Sequence, residues 1–275
     1  MSERRGLLIV VTVVAMALFL AVPNQGQATV VTFGDSVIHW ETWPGHSAYG
    51  INDDSLDVIG NPDISGGGAS VSDGGYLEYI YFDYTVINNN WNRLIPANLF
   101  INVLNSEGDT VWDYVVNTMG APGTSSLAAG LYDLYDISAA GIDAAKGSND
   151  WAYILSGQDN TSPWQGYAIR DNHPIGINLA AIAGDQKVNL GQVYFSGFPN
   201  KLPGDSSAGI STYDFTTLGL GIDLAGKDFI VAWSPTCAND VVYEKVSNPV
   251  PEPMTLLLLG AGLVAVGLAG RTFRG

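Results

Sequence analysis

Cysteine is almost absent: Cys237 is the only one in 275 residues. No intramolecular disulfide can form, so stability has to come from buried apolar surface, which a chain of this length can supply. The thiol reads as a small buried apolar side chain, with an intermolecular bridge or a reactive thiol as the alternatives. Histidine is nearly as scarce. His39, His46 and His173 lack the close pairing of a zinc site, and no cysteine cluster assists them. There is no P-loop, no Gly-x-Gly-x-x-Gly after a strand and no haem attachment pair. Positive charge is also short, with 11 Lys and Arg against 27 Asp and Glu and a net charge of −16.

What is present begins with an apolar segment at each end. Arg4 and Arg5 precede the run Leu7 to Val22, and Gly26-Gln27-Ala28 supplies small residues where a signal peptidase cuts. Residues 1–28 are therefore expected to be a signal peptide, with an uncleaved anchor as the alternative. Setting aside 1–28 and 252–275 removes four of the 11 basic and two of the 27 acidic residues, leaving 7 against 25. A field of that sign repels nucleic acid and anionic lipid but leaves divalent cations and neutral polymers as partners. Of the 25 acids 21 are Asp, a residue suited to turns and calcium loops rather than helices.

Between the ends no sustained period near 3.6 occurs, whereas short β-branched and aromatic runs separated by Gly, Asn, Asp and Pro recur. Strands are predicted at 77–86, 99–104, 110–117 and 151–155, and again at 175–182, from Val188, from Asp228 and from Asp240. LAAGLYDLYDIS, from Leu127, is the best candidate for a short helix, and Gly50 to Gly75 reads as one long loop. With 33 glycines, the pattern predicts an all-β fold, an antiparallel β-sandwich of jelly-roll or Greek-key type, with two stacked sheets sharing one core. The domain spans 29–246, followed by an extended tether at 247–253 carrying Pro249, Pro251 and Pro253, and then by 254–275.

That last segment contains 16 apolar-rich residues, Met254 to Ala269, about 24 Å as a helix against a hydrocarbon core of about 30 Å. It is short for a permanent span. Arg271 and Arg274 would hold the C-terminus on the cytoplasmic side, and the prolines flanking Glu252 keep that stretch extended, as a protease substrate should be. Val250-Pro251-Glu252-Pro253, the glycine-interrupted helix and the terminal arginines together resemble the PEP-CTERM sorting signal of exosortase-dependent proteins. The resemblance implies signal peptidase and exosortase as processing partners. It also implies cleavage at the motif, a transient inner-membrane anchor and delivery to the surface of a cell that makes exopolysaccharide. Cys237-Ala238-Asn239-Asp240 is similar to the Cys-Ala-Asn-Asp found before the tether in many such surface proteins, whose molecular activity is generally unknown.

Several constellations bear on chemistry. Asn52, Asp53, Asp54 and Asp57 crowd four oxygen-bearing side chains into six residues, and Asp240 would join them if the chain brings its two ends together. Ca2+ would cancel their mutual repulsion. A solvated Asx-rich turn is the competing explanation, because the spacing is not that of an EF-hand. Trp43, Trp91 and Trp164 sit in polar, turn-like settings, where indole rings can stack on sugars. They make a carbohydrate-binding module the runner-up function, against core packing as the plainer role. Phe33-Gly34-Asp35-Ser36 resembles the nucleophile block of GDSL-type esterases and Gly147-Ser148-Asn149-Asp150 their Gly-x-Asn-Asp block. Asp171-Asn172-His173 is one residue short of that family's base block and falls mid-chain. Glu78 and Glu244, the candidates for paired glycosidase acids on strands, are expected on wet sheet faces. The main expectation is an exported, non-enzymatic surface or extracellular-matrix protein, with no catalytic residues; a secreted hydrolase stands third.

Overall fold

Alternating burial along LEYIYFDYTV shows how the chain builds its core. Ile80, Phe82 and Tyr84 are buried, while Tyr79, Tyr81 and Asp83 face outward. The computed structural model describes residues 28–35, 63–86, 97–104, 111–118, 129–142, 154–157, 170–197, 207–219, 221–233 and 242–247. Twelve strands run through them, in the unit Thr29–Pro249. They are β1 (Thr29–Phe33), β2 (Asp63–Val71), β3 (Leu77–Val86), β4 (Leu99–Val103), β5 (Tyr114–Val116), β6 (Gly130–Asp136), β7 (Ile154–Gly157), β8 (Arg170–Ile177), β9 (Val188–Ser196), β10 (Ser207–Asp214), β11 (Phe229–Trp233) and β12 (Val242–Val246).

Ten of these form a single antiparallel sheet in the order β1-β2-β3-β10-β9-β6-β5-β4-β11-β12, and β7 pairs with β8 as a separate ribbon. The sheet curls until its edge strands, β1 and β12, come into contact. Every strand of it then contributes to one interior, from Val31 and Phe33 on β1 to Val242 and Val246 on β12. Phe82 of β3 stacks on Trp233 of β11 across that interior, with ring centroids 4.5 Å apart and planes inclined by 13°. The antiparallel all-β character matches the sequence pattern. The division into two stacked sheets does not: hydrogen bonding runs unbroken through all ten strands. Bulges assist the curvature, among them one at Ser65–Gly66 on β2 and one at Leu190–Gly191 on β9, each with its glycine at positive φ, where an extra residue sharpens the local twist.

β4 is buried on both faces. Leu99 and Ile101 enter the interior, while Phe100 packs outside with Trp112, Ile137, Ile142, Ile177 and Ile182 in a second cluster. This covering layer explains why LFINV reads as a continuous apolar run rather than an alternating one.

Three local expectations are corrected. The proposed helix from Leu127 is strand β6, because Tyr132 and Leu134 turn inward by alternation and both edges of the strand find partners, β5 and β9. The loop reading of Gly50 to Gly75 fails in its second half, where β2 forms through Gly66, Gly67 and Gly68. A Cβ on Gly67 would lie 2.9 Å from the Phe33 ring, and one on Gly68 would lie 2.7 Å from the Tyr81 ring. The neighbouring strands' aromatics thus occupy the space that side chains on β2 would need. The strand expected over 175–182 ends at Ile177, after which Leu179 and Ile182 pack onto the second cluster from a turn. β10, SAGISTYD, was not foreseen; it forms between β3 and β9.

Candidate functional site

Antiparallel pairing aims directly opposite residues at the same face, so the register maps the outer surface of the sheet. Tyr79 on β3 faces Asp214 on β10, Asp214 faces Tyr194 on β9, and Tyr194 faces Leu131 on β6. One step along the strands, Tyr81 faces Thr212, which faces Ser196. Two tyrosine-bearing strands therefore flank a polar one. Tyr79 and Tyr194 are 37% and 39% exposed, which for aromatic rings on an otherwise well-packed sheet is substantial. The ring of Tyr81 lies over Gly68, so it rests against the sheet.

Polar groups on this face are held in place. Asp214 Oδ1 accepts from the Thr216 backbone N–H at 2.9 Å and from its hydroxyl. Gln192 Nε2 donates to Asp133 Oδ1 at 3.2 Å, and the Tyr135 hydroxyl approaches Asp133 Oδ2 at 3.4 Å. Partial burial, with the Asp133 carboxylate beside it, pushes the Tyr135 hydroxyl above its ordinary range. The same use of aspartate recurs at turns, where Asp136 accepts from the Ser138 N–H and Asp223 from the Ala225 N–H. Asp113 accepts from the Val103 N–H at 2.7 Å, and Asp228 pairs with Lys245 at 2.9 Å. Much of the described aspartate is thus fastening strands and turns, a role the high Asp content indicated.

Asp53, Asp54, Asp57, Asp240, Trp43, Trp91, Trp164, Val250, Pro251, Glu252, Pro253, Arg271 and Arg274 all lie outside the described residues, as do Cys237 and both expected end helices. Strand direction still locates where their connections attach. Because neighbours are antiparallel, β1, β3 and β11 end at the same end of the sheet where β2, β4 and β12 begin. The connections carrying Trp43 with the acidic run, Trp91, and Asp240 are therefore attached at one end; Trp164 belongs to the β7–β8 connection. Among the described residues no group of three His, Cys, Asp or Glu side chains is placed to hold a metal ion. None of the described helices is long and apolar enough to cross a membrane.

GDSL-type esterases use an α/β scaffold with long helices between parallel strands, whereas the described residues form antiparallel strands. Phe33 closes β1, Asp35 follows it half-buried, and Asp171 to His173 run along β8 in the antiparallel ribbon; Ser36 and 147–150 lie outside the described residues. Glu78 is half-buried and accepts from Ser70 Oγ at 3.1 Å, while Glu244, also half-buried, sits opposite the interior residue Val231. Neither is fully on a wet face. Compared with protein-family models, curated proteins and solved structures, the chain matches none.

The tyrosine face escaped sequence reading because alternation within 77–86 separates two faces without saying which one turns inward. Only the pairing with β10 and β9 brings Tyr79, Asp214 and Tyr194 into one row.

Proposed function

We propose that this protein is an exported, non-enzymatic component of the cell surface or extracellular matrix, associated with exopolysaccharide and sorted by an exosortase. The observation that carries the reading is the order of parts at the C-terminus: Val250-Pro251-Glu252-Pro253, an apolar segment, then Arg271 and Arg274. In this reading residues 7–22 are the helix of a cleaved signal peptide, and 254–269 span the inner membrane until the motif is cut. The body encoded between them, one curled ten-stranded antiparallel sheet, is in this reading jelly-roll-like. Two of its connections, from β3 to β4 and from β10 to β11, cross between non-neighbouring strands as in a Greek key. The engagement of its aspartates in turns, strand ends and an ion pair supports a structural rather than a catalytic role.

Mass spectrometry of the protein from mature cells tests the sorting signal. The expected species lacks both 1–28 and the segment after the Pro-Glu-Pro motif. Recovery of a single intact species that still contains Phe273 would refute the reading.

A second reading, a carbohydrate-binding module, is favoured by one observation: the connections carrying Trp43 and Trp91 attach at the same end of the sheet.

A further inference from the structure

We infer that the outer face of β3, β10 and β9 binds a neutral polysaccharide laid across the strands, on Tyr79, Tyr81 and Tyr194 with Asp214 and Thr212 between them. Its residues are other than Trp43, Trp91 and Trp164, and the inference does not depend on the sorting signal.

The geometry comes first. Adjacent strands lie about 4.8 Å apart, so Tyr79 and Tyr194, with β10 between them, stand about 10 Å apart on the same row. Aromatic surface thus repeats across the face with hydrogen-bonding groups in the gap. A chain of sugar rings has the matching alternation, since each ring offers a C–H-rich face to an aromatic and hydroxyls along its edges. The flatness of the platform has its own cause: Gly68 lets the Tyr81 ring lie against the sheet, where any side chain would lift it.

Charge then selects the ligand. The cross-strand row places the Asp214 carboxylate between the tyrosines, with Asp83 along β3 and Asp133 along β6. Carboxylates only accept hydrogen bonds, so a partner rich in donors suits the oxygens that Thr216 does not occupy, and sugar hydroxyls are such donors. A polyanion would meet these acids and the net charge of −16. A second copy of the chain docking by the same face would set acid against acid.

Affinity electrophoresis of the purified full-length protein tests the inference. The gels contain a soluble neutral glucan, mannan or galactan, with polygalacturonate as the anionic counterpart. At least one neutral polymer is expected to retard the wild type, and polygalacturonate is not. Tyr79→Ala/Tyr194→Ala is expected to weaken that retardation by about tenfold or more. Tyr79→Phe/Tyr194→Phe, which keeps the rings, should retain most of it, and circular dichroism establishes that each variant is folded. Retardation by none of the neutral polymers would overturn the inference. So would unchanged binding by the folded Tyr→Ala double variant, or loss confined to Trp43→Ala, Trp91→Ala or Trp164→Ala, which would place sugar recognition on the connections instead.

Discussion

Replacing Trp233 by Ala tests the central packing statement, that a single curled sheet closes on one interior. Trp233 is only 1% exposed and its indole stacks on Phe82, although β11 and β3 are far apart in the hydrogen-bonded order. The contact therefore reports on closure rather than on strand pairing. Truncation removes the transfer energy of the largest type of side chain and leaves a cavity that surrounding strands cannot fill, a loss of about 3–5 kcal/mol. Roughly 0.5–1.5 kcal/mol of such a loss belongs to the ring pair itself. Set against a total stability of about 5–15 kcal/mol, the variant would be severely weakened. Urea unfolding followed by tyrosine fluorescence and far-ultraviolet circular dichroism measures it, as a lowered midpoint at unchanged slope. Trp233→Phe keeps an aromatic ring against Phe82 and should lose less than half as much. A loss below about 1 kcal/mol for Trp233→Ala would refute the argument, because a side chain bridging a common core cannot be so cheap to delete.

Alkaline pH provides a second test. Burial pushes the Tyr84 hydroxyl, which donates to the Gly197 carbonyl, from 10.0 up to about 12, and full burial moves Tyr213 the same way. The folded state then holds these protons after the unfolded chain has released them, so stability is complete below about pH 10 and falls as pH rises toward 12. Urea midpoints at pH 9 and pH 11 should show the decline, and Tyr84→Phe should make it shallower; equal slopes would remove Tyr84 from the account. Gly197→Ala should cost about 2 kcal/mol or more, because the residue sits at φ 95° and a Cβ would lie 1.9 Å from the Ile210 carbonyl oxygen. Gly141→Ala, at φ 64° with nothing within 4 Å, should cost only about 1 kcal/mol, and thermal unfolding of the pair compares them directly.

The strands that were legible in sequence are those whose own side chains carry the signal. β3, β9, β11 and β12 place β-branched or aromatic residues at spacings that read as strand without reference to any partner. The single cysteine likewise excluded a disulfide-stapled fold from residue identities alone. β2 and β10 were illegible for the opposite reason. Their glycines and serines have little strand preference of their own, and the rings that cover them arrive from other strands: Phe33 and Tyr81 over β2, Tyr84 over Gly209. The sequence by itself therefore determined an antiparallel β body, because alternation is local and survives in any register. Only the tertiary structure decided that this body is one curled sheet and that Tyr79, Asp214 and Tyr194 share a row. Pairing partners come from distant parts of the chain, and which face turns inward is settled by what the rest of the sheet encloses.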